Sequence, residues 1–161
     1  KREPIIDVIL IGVNFVLRAV AGAVVLRVPV SAWLILCTFF LSLVLSVGKR
    51  RAELLFLGRS AVVHRRALEG YSLRLLDVML FVSVAMLVVS YSLFAFFGEH
   101  PGLFITLPLS LYSVWRFVQL SENGSVIARH PERVFGDVRM VAAMVAWAVA
   151  AVGSLYVRSG L

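Results

Sequence analysis

Three stretches of this chain, 30–47, 78–98 and 140–157, contain no Asp, Glu, Lys or Arg. A bilayer hydrocarbon core of about 30 Å takes roughly 20 residues of helix, so each stretch is long enough to cross with little tilt. Their apolar residues are continuous instead of recurring on one face, so a soluble domain of this length has nowhere to bury them. Hydrophobic residues make up 61% of the 161, and mean hydropathy is +0.96, which excludes water as the main solvent. Two further stretches are interrupted: 5–26 carries Asp7, Asn14 and Arg18, and 103–120 carries Arg116. Sustained alternation of apolar and polar residues is missing, which excludes a membrane barrel. The expected fold class is therefore all-α: a polytopic membrane bundle of five transmembrane helices over 5–26, 30–47, 73–97, 103–120 and 140–157, forming one transmembrane domain.

The chain opens on Lys1-Arg2-Glu3-Pro4 and runs directly into the first span, unlike a signal peptide. A start on Lys instead of Met leads to the expectation that residues upstream of this segment are missing.

The net charge of +7 is unevenly distributed. With five spans, Lys1, Arg2 and the loops 49–72 and 121–139 share one side and hold nearly all the basic residues; Arg27 and Arg158 stand on the other. The positive-inside rule makes the basic side cytoplasmic, in a multi-pass protein of the plasma (inner) membrane. This topological account of the charge makes nucleic-acid binding unnecessary. The lone Cys37 lies within a span, and His64, His100 and His130 fall in three separate loops, so no metal is assigned to them. In the 49–72 loop the second helix is expected to continue outward until Gly58. Ser72 is expected to cap the third helix, with a short interfacial helix between. In the 121–139 loop, Asn123-Gly124-Ser125 would be a silent glycosylation signal on the cytoplasmic side, and Pro131 and Glu132 open a short helix toward Asp137.

Ionisable groups inside a span are costly and need a partner or an aqueous cavity. Asp7, Asn14 and Arg18 are separated by seven and four residues, so they share one helix face. That face is expected to look at protein or a polar cavity, with Gly12 and Gly22 allowing close packing beside it. An interhelical lock, such as Arg18 against an acid on another helix, is the structural alternative, and Asp77 is one possible acid. The second cluster is Gly48-Lys49-Arg50-Arg51-Ala52-Glu53, where Lys49, Arg50 and Glu53 line one surface at i, i+3 and i, i+4 spacing. Arginine forks and a lysine point charge suit phosphate or pyrophosphate oxygens, and Glu53 suits a cation or the side of a metal. A helix-end salt bridge on a solvated face, or topology and attraction to anionic lipid, would use the same residues. His64, Arg65, Arg66, Glu69 and Tyr71 repeat the theme across the same opening. Together these residues describe an intramembrane polar face beneath a basic mouth, suited to an anionic, lipid-linked substrate.

The runs Phe15-Val16-Leu17-Arg18-Ala19-Val20-Ala21-Gly22, Gly48-Lys49-Arg50-Arg51-Ala52-Glu53-Leu54 and Leu68-Glu69-Gly70-Tyr71-Ser72, in that order and followed by Pro131-Glu132 and Asp137, resemble the UbiA prenyltransferase superfamily. The resemblance covers nearly the whole chain. It implies a bundle of about nine helices around a cavity open to the cytoplasm, of which this chain is similar to the last five. It also implies Mg²⁺ as cofactor, held by aspartate-rich motifs, the first of them upstream of this chain. Where family members that use prenyl diphosphates carry a second such motif, this chain reads Lys49-Arg50-Arg51-Ala52-Glu53. That departure is similar to the branch that transfers phosphoribosyl groups to decaprenyl phosphate. The implied reaction moves ribose 5-phosphate from phosphoribosyl pyrophosphate to a polyprenyl phosphate, toward cell-wall arabinan. By this resemblance Lys49, Arg50 and Glu53 are the candidate catalytic residues, and Asn14, Arg18, Arg66, Glu69 and Tyr71 the candidate substrate-binding residues. No metal ligand is assigned within the chain. Two alternatives remain: a prenyltransferase acting on an aromatic or other acceptor, and a non-catalytic helical module.

Overall fold

The computed structural model describes residues 4–28, 30–57, 70–98 and 101–157. Its elements are α1 (Pro4–Val25), α2 (Ala32–Leu57), α3 (Leu73–Phe97), a 3-10 helix (Pro101–Thr106), α4 (Leu107–Glu122), the single-turn α5 (Val126–Arg129), a second 3-10 helix (Pro131–Gly136) and α6 (Val138–Val157). Among the described residues there is no strand. Four segments, Ile5–Val25, Ala32–Phe56, Leu73–Phe97 and Gly102–Glu122, are long and apolar enough to cross a membrane, and α6 is apolar over Val138–Ser154. The chain is an all-α polytopic membrane bundle. Its outward surface is apolar, with Phe81, Val24 and Val149 each more than 60% exposed, as hydrocarbon solvent permits.

α2 is the hub. It packs against α1 on one side, against α3 on another, and also touches α4 and α5, while α4 pairs with α6. From Leu76 to Ser90 the buried residues of α3, Leu76, Leu80, Ser83, Leu87 and Ser90, recur every three or four positions. This is the seam spacing of a coiled coil. Small residues set the approach distances. A Cβ on Gly12 of α1 would stand 2.7 Å from the Phe39 ring of α2, and one on Gly48 would stand 2.5 Å from the Phe117 ring of α4. The Ser121 hydroxyl then donates to the Gly48 carbonyl at 2.8 Å, fastening α4 to α2. Gly22 meets nothing within 4 Å, so of the two glycines expected to admit a neighbour only Gly12 does.

Local signals explain the helix ends. With no Pro or Gly between Gly48 and Gly58, α2 runs past its apolar stretch to Leu57. Ser72 caps α3, its hydroxyl accepting from the Leu75 N–H at 3.1 Å. The fourth span is entered through the 3-10 helix before Pro108 sets the first turn of α4. Asn123 ends α4, Gly124 takes a positive φ of 59°, and Ser125 caps α5, so the Asn-Gly-Ser triplet is a helix–turn–helix joint. Pro131 opens a short 3-10 helix toward Asp137. The expected interfacial helix and the break at Gly58 fall on residues 58–69, outside the described residues.

Candidate functional site at the basic end of the bundle

The site forms where α1 begins, α2 leaves its apolar stretch and α3 begins. Arg50 of α2 reaches α1 and pairs with the Asp7 carboxylate. Its guanidinium lies over the Tyr71 ring, 5.5 Å from the centroid. Charge, carboxylate and ring thus come from three elements. Only 12% of the Arg50 side chain is exposed, and its Nε is buried with no hydrogen-bond partner among the described residues. Burial raises the Tyr71 phenol above its ordinary pKa; Arg50 opposes that rise and Asp7 adds to it. The phenol stays protonated and able to donate through the neutral range. Lys49 and Glu53 lie on the same stretch of α2, one turn apart and half-buried.

The next residue, Arg51, points the other way. Its Nε is 2.5 Å from Asp77 Oδ1 of α3, and its Nη1 donates to the Ser121 carbonyl of α4 at 3.2 Å. A third pair joins α4 to α6: Arg116 Nη2 lies 2.6 Å from Asp137 Oδ2, and Arg116 also donates to Gln119 Oε1 at 2.6 Å. Asp137 caps α6 as well, accepting the Met140 N–H at 2.8 Å. The Arg116 hydrogen bond first, and the Met140 N–H second, hold the Asp137 carboxyl below its usual pKa. Each of the chain's three aspartates is therefore tied to an arginine on another helix. Arg129 of α5 stacks on Phe56 of α2 at 3.6 Å, pinning the short helix onto the outer end of α2.

Of the residues singled out in the sequence, Arg50 and Tyr71 come together, with Lys49 and Glu53 alongside. Asn14 and Arg18 do not join them. Both are exposed on α1, and Arg18 lies over its own neighbour Phe15 at 5.8 Å. Of the face expected to look at protein or a polar cavity, Asp7 meets α2, while Asn14 and Arg18 meet none of the described helices. The face of α1 that meets α2 is set by Val8 and Gly12, roughly 120° around the helix from Asn14 and Arg18. Asp7 shares the Asn14–Arg18 side of α1 and meets α2 because Arg50 reaches across to it, so the interhelical lock forms through Asp7 and Arg50, not through Arg18. Arg66 and Glu69, with His64 and Arg65, lie outside the described residues. Sequence reasoning missed the Asp77 and Asp137 pairs. Their signal was position, since both acids stand at or near a helix start, where the macrodipole favours negative charge.

No family model matches the chain. It is 34% identical over 107 residues to the decaprenyl-phosphate phosphoribosyltransferase of Mycolicibacterium smegmatis, covering 66% of this chain and 34% of that protein. This chain is similar to decaprenyl-phosphate phosphoribosyltransferases. The Corynebacterium glutamicum enzyme of that name is 36% identical over 96 residues, covering 60% of this chain and 29% of the relative. The Mycobacterium tuberculosis enzyme is 32% identical over 96 residues, covering 60% and 32%. The chain spans about a third of the length of these curated relatives. Their name agrees with the branch that the Lys49–Glu53 motif pointed to.

Proposed function

We propose that this chain forms part of a membrane transferase that moves a phosphoribosyl group from phosphoribosyl pyrophosphate to a polyprenyl phosphate such as decaprenyl phosphate, toward cell-wall arabinan precursors. The observation that carries the reading is the Arg50 cluster at the basic end of the bundle, in a chain similar to enzymes named for this transfer. The basic end would face the cytoplasm of the plasma membrane, as the charge asymmetry favours. In the reaction the anomeric C–O bond to pyrophosphate breaks, the pyrophosphate leaves with the electron pair, and an oxygen of the lipid phosphate forms the new bond. The protein must neutralise the leaving oxyanions and hold the acceptor in line.

Lys49 supplies a mobile positive charge for those oxyanions. Arg50 has a fixed one, oriented by Asp7 and Tyr71, with an Nε donor that has no partner among the described residues. Glu53 borders the same surface, and the protonated Tyr71 can donate to a phosphate oxygen. Asn14 and Arg18 are proposed to meet substrate from α1, and Arg66 and Glu69 from the loop before α3. The family resemblance implies Mg²⁺, which would offset charge on the pyrophosphate. The described residues do not fit a magnesium cage, because no three His, Cys, Asp or Glu converge and every aspartate is held by an arginine.

The test is transfer of labelled phosphoribosyl from phosphoribosyl pyrophosphate to decaprenyl phosphate by the purified full-length protein. Arg50→Ala alone is ambiguous, because it leaves Asp7 unpaired. The double variant Asp7→Asn with Arg50→Gln keeps a neutral hydrogen bond between α1 and α2 while removing the charge. Loss of transfer with normal thermal stability supports the cluster as the site. Wild-type-like transfer by the double variant would reduce the pair to a structural lock.

A further inference from the structure

Among the described residues, two buried side-chain nitrogen or oxygen atoms lack a hydrogen-bond partner, and both are arginine Nε atoms. One belongs to Arg50, in the site already described. The other belongs to Arg129, the last residue of the single-turn α5. Both guanidiniums also lie over an aromatic ring, Arg50 over Tyr71 at 5.5 Å and Arg129 over Phe56 at 3.6 Å. They differ in charge balance: Arg50 is paired with Asp7, whereas Arg129 has no ion pair and no side-chain hydrogen bond among the described residues. A ring stack holds the guanidinium plane without using any of its N–H donors. The edge of the fork stays available to an oxyanion, which it can meet bidentately. A half-buried cation without a counter-charge is costly, and an anionic ligand group would offset that cost.

The place of Arg129 in the fold narrows the anion. α5 is seated on the outer end of α2: Ala128 is fully buried, and a Cβ on Gly124 would stand 3.6 Å from Leu55. Phe56 follows Lys49 by seven residues and Glu53 by three, so the three share one side of α2. The stack on Phe56 therefore brings Arg129 over the outer end of the stripe that carries Lys49 and Glu53, with Arg50 at its inner end. Phe56 is six residues beyond Arg50, about 9 Å along the helix, a spacing that suits two separate phosphoryl groups better than one diphosphate. Phe56 is also nine residues, about 13 Å, beyond Val47, where the charge-free stretch ends. The head-group layer outside the hydrocarbon is roughly 5 to 8 Å deep on each side, so Arg129 stands on the aqueous side of it. A phosphate carried by a water-soluble molecule reaches that level more readily than one anchored on a polyprenyl chain.

We propose that Arg129 binds the phosphate monoester of the water-soluble donor, the 5-phosphate of phosphoribosyl pyrophosphate, while Lys49 and Arg50 hold the pyrophosphate at the other end of the ribose. The identity of the ligand rests on the transferase reading; the presence of a phosphate site at Arg129 rests on the stacked, unpaired guanidinium. Arg129 is then a specificity residue, selecting a phosphorylated sugar over an unphosphorylated one.

The test uses the full-length protein in detergent, with transfer measured against each substrate in turn. Arg129→Gln is expected to raise KM for phosphoribosyl pyrophosphate about tenfold and to leave KM for decaprenyl phosphate unchanged. Arg129→Lys keeps the charge and should recover little, because an ammonium does not reproduce the fork. Arg133→Gln removes an exposed charge from the neighbouring 3-10 helix and should behave as wild type. Thermal unfolding gives a readout without turnover: ribose 5-phosphate should raise the melting temperature of the wild type and not of Arg129→Gln, while inorganic pyrophosphate should raise both. An unchanged KM for phosphoribosyl pyrophosphate, a rise confined to decaprenyl phosphate, an equal rise in Arg133→Gln, or equal stabilisation of both proteins by ribose 5-phosphate would each overturn the proposal. A wild type that gives no transfer, yet is stabilised by ribose 5-phosphate only when Arg129 is present, would sink the transferase reading and leave the phosphate site standing.

Discussion

The two ends of the bundle are tied together by different chemistry. At the basic end three arginine–aspartate pairs join α1 to α2, α2 to α3 and α4 to α6. At the other end the link from α6 to α3 and on to the 3-10 helix is a neutral relay, Trp147 to Tyr91 to Thr106. Charge is kept where water and head groups can share it, and neutral donors are used where an unpaired charge would be costly. The basic end can therefore hold anions and respond to pH, while the far end only fixes geometry.

Four measurements would break or sharpen that contrast. The largest effect is expected from Gly48→Ala, because a Cβ there would lie 2.5 Å from Phe117; overpacking should cost near the upper part of ~1–3 kcal/mol, read by thermal or denaturant unfolding in detergent. Tyr91→Phe should come next, at about 1–2 kcal/mol, since it strands the Trp147 N–H, with no change in the pH dependence of stability. Asp7→Asn should cost about 1 kcal/mol while lowering transfer far more than its stability loss explains; equal losses would make the pair purely structural. The smallest effect is the titration of Asp137. Its folded pKa is depressed, so its stabilising contribution is complete above the unfolded value of about 3.9 and disappears as pH falls through the lower folded value. Asp137→Asn should lower stability at neutral pH and flatten the acid limb below about pH 4.

Much of the fold was legible because membrane helices announce themselves by length and apolarity. The charge-free runs located α2, α3 and α6, and Ser72 marked the start of α3. The single turn of α5 was not legible, since four residues carry no period and Ser125 alone does not distinguish a cap from a loop. Within the candidate site, the Lys49–Glu53 cluster could be read from spacing along one helix. The Asp7–Arg50 contact could not, because the rotation of one helix against another depends on which small residue admits which ring. Gly12 against Phe39 settles it for α1, and it turns Asn14 and Arg18 away from α2.

Arg50 and Arg51 are neighbours in sequence, about 100° apart around α2, and hold carboxylates on two different flanking helices. A rotation of α2 about its own axis would draw both arginines off their partners together, so neither flanking helix can change its seating on α2 independently. Two adjacent residues thus act as a key cut on both edges, and the angular setting of one helix fixes where α1 and α3 begin.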